Sequence, residues 1–245
     1  MSDVDERRKQ AASFAGVADV YERSRPGYPE AAVAWLAGST PGDVVDLGAG
    51  TGKLTRSLVA LGHRVTAVEP LEEMLAQLRA SVPAARALTG GAEAIPLPDA
   101  SIDVVTCAQA FHWFDHDRAL AEIARVLRPG GRIALVWNMR HASEIWVEEL
   151  GDAIVGRTGL DRGAVEPIER SGLYGPVERA VFEHTQEVDR TTMRELVRSR
   201  SYCAILPEEE RAPILDRVDA IFDRHARDGV LHVPYRTECF RAVRR

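Results

Sequence analysis

The residues whose types and spacing are best suited to chemistry lie in VVDLGAGTGKLTRSL (44–58), where Gly48, Gly50 and Gly52 follow the acid Asp46. A glycine-rich turn between an apolar run and an amphipathic run lets backbone N–H groups approach a ligand closely. Such turns hold a nucleotide phosphate, a dinucleotide or a nucleoside. The P-loop pattern G-x-x-x-x-G-K-[ST], aligned on Gly52 and Lys53, needs a glycine and a hydroxyl where this chain has Leu47 and Leu54. The dinucleotide fingerprint G-x-G-x-x-G, started at Gly48, needs its third glycine where Lys53 stands. What remains is G-x-G-x-G behind a carboxylate. Asp46 would repel a pyrophosphate and attract a cation, so the loop suits a nucleoside that carries an ammonium or sulfonium charge.

A second acid supports this. Glu69 ends the run RVTAVE, seventeen residues after Gly52, where a carboxylate can accept from both hydroxyls of a ribose. Bonds of that charged kind contribute about 1.5–3 kcal/mol each. In AFHWF (110–114), His112 is the candidate base, with a structural hydrogen-bonding role as the alternative, and Trp113 and Phe114 are either ligand walls or core. Arg25 and Tyr21, in VYERSRPGYP, are candidates for the carboxylate and sulfur ends of such a ligand. A surface arginine is the bland alternative.

These residues need a scaffold, and the sequence supplies an alternation. Apolar runs at 43–48, 64–69, 86–88, 102–110 and 132–138 predict strands. Between them, Lys53–Leu61, the stripe Leu71, Met74, Leu75, Leu78, and the stripe Leu120, Ile123, Ala124, Leu127 predict helices. Asp115 or Asp117 is expected to cap the last of these and RPGG to stop it. Further helices are expected within 12–29 and over Glu30–Leu36. Strands alternating with helices predict an α/β, doubly wound, mostly parallel sheet. After Asn138 the rhythm changes. A sixth strand is expected at 177–188, helices at Thr191–Leu206 and Glu208–Asp228, and a last, antiparallel strand at 232–243. A single domain of 1–245 is expected: an N-terminal helical segment (1–39), a cofactor-binding core (40–139), cover helices with the sixth strand (140–230) and the last strand (231–245).

Composition narrows the partners. With 31 Lys and Arg against 37 Asp and Glu, the net charge is −6, which disfavours nucleic acid. Cys107, Cys203 and Cys239 are scattered, with no metal-ligand spacing, so no metal is expected. No signal peptide and no apolar run near the roughly 20 residues of a membrane span are seen, so a cytoplasmic protein is expected.

The segments VVDLGAGTGKLT, VTAVEP, GGAEAIPLPDASIDVVTCAQAFHWF and EIARVLRPGGRIALVWN together resemble the core of class I S-adenosylmethionine-dependent methyltransferases of the methyltransferase type 11 group. VYERSRPGYP and LHVPYRTECFRA resemble the trans-aconitate methyltransferase-like branch. The resemblance implies a Rossmann-like sheet of seven strands with a helical cover, S-adenosylmethionine as cofactor, and methyl transfer by in-line displacement. It implies cofactor contacts from Asp46, Gly48, Ala49 and Gly50 near the methionine end, and from Glu69, Pro70 and Leu71 along the adenosine. Ala92 and Glu93 would flank the adenine, and Gln109, Ala110 and Phe111 would wall the sulfonium. The branch suggests a small carboxylic acid as acceptor, for which Tyr28, His112, Trp113, Arg140, Arg198, Arg200 and Tyr202 are the candidate contacts. A non-catalytic cofactor-binding protein and a methyltransferase acting on a macromolecule are the alternatives.

Overall fold

The computed structural model describes residues 18–141, 144–153, 165–200, 203 and 206–245. Tyr202 and the side chain of Tyr21 lie outside the described residues. The helices are α1 (Ala18–Ser24), α2 (Glu30–Ala37), α3 (Lys53–Ala60), α4 (Glu72–Ser81), α5 (His116–Val126), α6 (Ile145–Ala153), α7 (Glu166–Ser171), α8 (Arg190–Arg198) and α9 (Glu208–His225). The strands are β1 (Asp43–Leu47), β2 (Arg64–Glu69), β3 (Arg86–Thr89), β4 (Ile102–Ala108), β5 (Leu127–Arg140), β6 (Glu178–Val188) and β7 (Leu231–Val243).

The strands form one seven-stranded sheet in the order β3-β2-β1-β4-β5-β7-β6, mostly parallel with β7 antiparallel. Leu47 of β1 lies opposite Val68 of β2, Asp46 opposite Thr106 of β4, and Glu69 opposite Thr89 of β3. These registers bring the carboxyl ends of β1, β2 and β4 level. The order of strands reverses at β1 and β4, which is where open α/β sheets bind ligands. β1 is buried from Val44 to Leu47, as a strand covered on both faces must be. Leu54 and Leu58 of α3, Met74, Leu75 and Leu78 of α4, and Leu120 and Ile123 of α5 bury one stripe each. Each such side chain contributes about 1.5–3 kcal/mol on leaving water.

The chain divides into two compact units by its internal packing. One holds 27–138, 160–182 and 237–245 and is built around Val33, Leu36, Val44, Leu58, Val104 and Val136. The other holds the described parts of 1–26, 139–159 and 183–236, with Trp146, Met193, Leu196, Val218, Phe222 and Tyr235 in its core.

Three of the boundaries that differ from expectation concern RPGG and the ends of α8 and α9. RPGG does not stop a helix. α5 already ends at Val126, Leu127 pairs with Ile102, and the ladder skips to Val104 opposite Arg132, so RPGG bulges within β5. A Cβ at Gly131 would lie 2.9 Å from the Asp103 carbonyl oxygen, which explains the glycine. α8 ends at Arg198 with Ser199 as its cap, and the expected continuation to 206 falls partly outside the described residues. α9 ends at His225 because Asp228 and Gly229, with φ of 50° and 75°, form a tight turn between Arg227 and Val230.

Candidate active site

The three loop glycines have φ of 69°, 56° and 92° at Gly48, Gly50 and Gly52, the left-handed region that costs an L residue about 1–2 kcal/mol. Their surroundings separate them. A Cβ on Gly48 would sit 2.8 Å from Cβ of Ala110, and one on Gly52 2.9 Å from the Leu78 side chain. A Cβ on Gly50 would meet nothing within 4 Å. The outer glycines therefore let the protein pack on itself, and the middle one leaves open space before the backbone. Gly52 then caps α3, whose first turn follows the loop directly.

Asp46 sits beneath this loop, 1% exposed, with Oδ2 accepting from the Thr55 hydroxyl at 2.6 Å and Oδ1 from Thr106 at 3.4 Å. Burial pushes its carboxyl up to about 6, the two hydroxyls oppose this, and the charge of Glu69 adds to the rise. The two Asp46 oxygens thus face the hydroxyls of Thr55 and Thr106. Glu69, 6% exposed, is tied to the loop as well: Oε2 accepts from Gly50 N at 2.9 Å and Oε1 from Leu71 N at 3.1 Å. Burial raises its carboxyl above the ordinary range, and those two amides pull it back. A carboxylate offers about four acceptor positions, so two remain after these bonds.

At the end of β4 the backbone is strained. Gln109 is one of three non-glycine residues with positive φ among the described residues, at 58°, held by its N–H to the Val136 carbonyl at 3.0 Å. Its Nε2 donates to the Asn138 carbonyl at 3.3 Å. Such outliers persist where surrounding structure over-determines them, and they cluster at functional sites. Ala110 packs against Gly48. Phe111 is buried, its ring stacked on His116 at 4.6 Å and edge-on to Phe114 at 6.0 Å. His112 is exposed, tilted over Trp113 at 4.4 Å. Ala92 is buried, and Glu93 accepts from Asp115 N at 2.9 Å, which ties 91–94 to the start of α5. Tyr28 packs against the core of its unit.

The remaining candidates fall in the other unit. Arg25 donates to the Ser199 hydroxyl and carbonyl at 2.9 and 2.8 Å, at the end of α8. Arg140 and Arg200 both act on the hydroxyl of Tyr235, and Arg198 is exposed in the last turn of α8. The charges of Arg200, Arg140 and Arg25 thus bear on Tyr235, and that of Arg198 is not among them.

Sequence reasoning missed Thr55, Thr106, Asn138 and Tyr235. Asn138 is buried, donating to the Gly27 carbonyl at 2.8 Å and accepting from Thr237 at 2.7 Å. A lone amide closing the apolar run RIALVW was the available signal. Cys107, buried beside the site, has its thiol pushed far up by burial and is no nucleophile. A cleft among Gly38–Gly42, Asp103 and Arg128–Arg132 lies at the amino ends of β1 and β4, away from the loop. There Arg128 donates to Asp103 at 2.5 Å and Asp43 at 3.0 Å, so its charges satisfy one another. Among the described residues no group of three or more His, Cys, Asp and Glu side chains could hold a metal ion. No described helix is long and apolar enough to cross a membrane.

The open backbone at Gly50, the acceptor positions left on Glu69 and the held turn at Gln109 fit a nucleoside cofactor. Known proteins agree. Residues 45–135 match the family model described as a methyltransferase domain. An uncharacterized methyltransferase of Mycobacterium tuberculosis is 46% identical over 244 residues, covering 97% of this chain and 98% of that one. An uncharacterized methyltransferase-like protein of Schizosaccharomyces pombe is 34% identical over 237 residues, covering 91% and 92%. A solved chain from Anaeromyxobacter dehalogenans, described provisionally as a type II methyltransferase, matches with TM-score 0.63 and 29% identity over 90% of this chain and 96% of that one. Haemonchus contortus phosphoethanolamine N-methyltransferase 2, solved with S-adenosylhomocysteine, shares the fold at TM-score 0.52 and 16% identity, covering 87% of this chain and 51% of that one. The protein is an enzyme with S-adenosylmethionine as its cofactor, and the chain belongs to the class I methyltransferase family.

Proposed function

We propose that this methyltransferase acts on an oxygen of a small acceptor that carries a carboxylate. The observation that carries the reading is the state of the acids around the loop. Asp46, Glu69 and Glu93 each already accept from hydroxyls or amides of the protein. Asp46 is enclosed by its two threonines, and Glu69 and Glu93 are held by backbone amides, so these acids serve the loop first, and an acceptor that arrives ionised needs no proton taken. When bound, S-adenosylmethionine supplies a methyl group on a good sulfur leaving group. The chain's own residues then bind and orient: Gly50 presents open backbone, and Glu69 holds the loop while offering two acceptor positions to the ribose hydroxyls. Orientation of this kind can lower a barrier by about 7–11 kcal/mol.

Two likenesses support the same direction. The sequence resembles the trans-aconitate methyltransferase-like branch over VYERSRPGYP and LHVPYRTECFRA. A relative from Methylococcus capsulatus, 38% identical over 144 residues, is a malonyl-[acyl-carrier protein] O-methyltransferase. That name favours a second reading, in which the acid is carried on a protein. Methyl-labelled cofactor incubated with free di- and tricarboxylates, carrier-bound acids, alcohols and amines tests both. Label in a base-labile ester is expected, at a rate flat in pH from about 6 to 8 and unchanged in His112→Ala. Label confined to amines would end the reading.

A further inference from the structure

The unit holding the described parts of 1–26, 139–159 and 183–236 contains polar atoms that the fold alone does not account for. Tyr235 is 1% exposed, and its hydroxyl has no hydrogen-bond partner among the described residues. Nε of Arg200 and Oε1 of Gln186, both shielded from solvent, share that condition. Buried polar groups are almost always bonded, so the donors of Tyr235 and Arg200 need a reason.

The place is built with care. The His184 ring stacks on Tyr235 at 5.4 Å and 18°, fixing the phenol. Gln186 is anchored by its Nε2 to the Ser24 carbonyl at 2.8 Å. Arg25, the next residue, donates to both the hydroxyl and the carbonyl of Ser199, which sets the backbone just before Arg200. His141 N donates to the Pro234 carbonyl at 2.9 Å and so brings the strand end at Arg140 beside Tyr235.

The charges have one sign. Burial raises the Tyr235 hydroxyl above its ordinary range, and Arg200, Arg140 and Arg25 oppose that rise in that order. The phenol therefore stays protonated at neutral pH and can donate. Burial lowers the basicity of His184, which leaves the ring neutral. A neutral O–H donor with three guanidinium groups acting on it is the complement of a carboxylate, whose oxygens accept several charge-assisted bonds at once.

We propose that the Tyr235 hydroxyl, with the guanidinium groups of Arg200, Arg140 and Arg25, forms a carboxylate-recognition site that selects the acceptor. This rests on the carboxylate reading given under Proposed function and adds where in the chain the acid is recognised. Tyr235 and Arg200 are binding groups here, since nothing in the proposal has them exchange a proton with the methyl donor.

The test is calorimetric titration of the full chain, saturated with S-adenosylhomocysteine, with citrate, tricarballylate, trimethyl citrate and inorganic phosphate. The two acids are expected to bind and the ester not to bind. Tyr235→Phe should weaken the acids about ten-fold and Arg200→Gln more, with cofactor affinity held within two-fold in both. Thermal melts establish that the variants fold, and either variant alone suffices. Equal acid affinity in wild type and both variants overturns the site, and so does phosphate binding as tightly as the acids with the same sensitivity to both variants. A methyl-transfer assay separates this from the acceptor reading. Carboxylates bound through Tyr235 but never methylated would overturn the acceptor reading and leave a carboxylate site. Carboxylates methylated with KM unchanged in both variants would overturn the site and leave the acceptor reading. The expected result is raised KM with kcat little altered.

Discussion

The two units treat buried polar groups in opposite ways. Around the glycine loop, Asp46, Glu69 and Glu93 are each bonded to hydroxyls or amides of the protein. Around Tyr235, the phenol hydroxyl, the Arg200 Nε and the Gln186 Oε1 are not, among the described residues. A loop that must take one fixed conformation is held by its own hydrogen bonds, so its acids serve the backbone first. Groups that await a ligand keep capacity unspent and weaken the folded state until it arrives. The difference teaches which part of the molecule is set in advance and which part is left for recognition, and substitutions can break it at either end.

The largest effects are expected where the loop packs on itself. Gly48→Val and Gly52→Val each combine a left-handed φ with a Cβ under 3 Å from a neighbour, and should destabilise by about 3–5 kcal/mol. Gly50→Ala carries only the backbone strain, about 1–2 kcal/mol, and should fold while binding S-adenosylhomocysteine at least ten-fold more weakly. Urea denaturation beside calorimetry reads both quantities. Equal destabilisation at all three positions would erase the distinction between packing and binding glycines.

Next comes Asp46, whose carboxyl titrates in the folded protein at about 6 against 3.8 as an ordinary aspartate. The folded state therefore binds this proton more tightly than the unfolded chain. Between those two values the folded state holds more protons, so the contribution of Asp46 falls as pH rises through 6. Above that it is a destabilisation on the order of 3 kcal/mol. Glu69 shifts in the same direction. Asp43, Asp103 and Glu122 are held below their ordinary values, Asp43 and Glu122 chiefly by hydrogen bonds to arginines. Their contribution is lost in more acid solution. Asp46→Asn should be more stable than wild type at pH 7.5 and lose that advantage towards pH 5. A constant difference across this range would mean the carboxylate is not buried as described.

Glu69 tests the loop from the other side. Glu69→Gln keeps the shape but makes one of its two oxygens an NH2 group facing a backbone donor, Gly50 N or Leu71 N. Cofactor affinity is expected to fall ten-fold or more with a smaller loss of stability, read by titration and thermal melting. Unchanged affinity would mean that the ribose is held elsewhere.

Much of the cofactor side was legible because its constraints are local. Spacing alone separated Gly48, Gly50 and Gly52 from two competing templates, and RVTAVE is β2 residue for residue. What was not legible depends on partners distant in sequence. Nothing in DVVDLG says that Asp46 will turn to Thr55 and Thr106, and nothing in AQAF says that Phe111 will stack inward on His116. RPGG looked like a helix stop because Pro and Gly end helices. The bulge that uses them depends on Ile102 and Val104 in the neighbouring strand. Tyr235 was passed over in VPYRTECF because alternation along a strand marks a buried position without saying whether its hydroxyl will be met.

The smallest expected effect is the sharpest comparison, because it removes one hydroxyl from each unit with little change of shape. Thr106 donates to the Val45 carbonyl at 3.0 Å and reaches Asp46 at 3.4 Å, both buried. Thr106→Val takes a donor from that carbonyl and from part of a buried carboxylate, and should cost about 1–3 kcal/mol. Tyr235→Phe removes a hydroxyl that has no partner to lose. Its cost is the phenol's own desolvation, so without ligand the variant should match wild type or exceed it by up to about 1 kcal/mol. Citrate should reverse the order by stabilising wild type more than Tyr235→Phe, since a ligand that binds only the folded form adds stability in proportion to its affinity. Paired melts with and without citrate measure all four values. A Tyr235→Phe loss as large as that of Thr106→Val, already present without ligand, would show that the phenol is bonded within the fold and that the two units satisfy their polar groups alike.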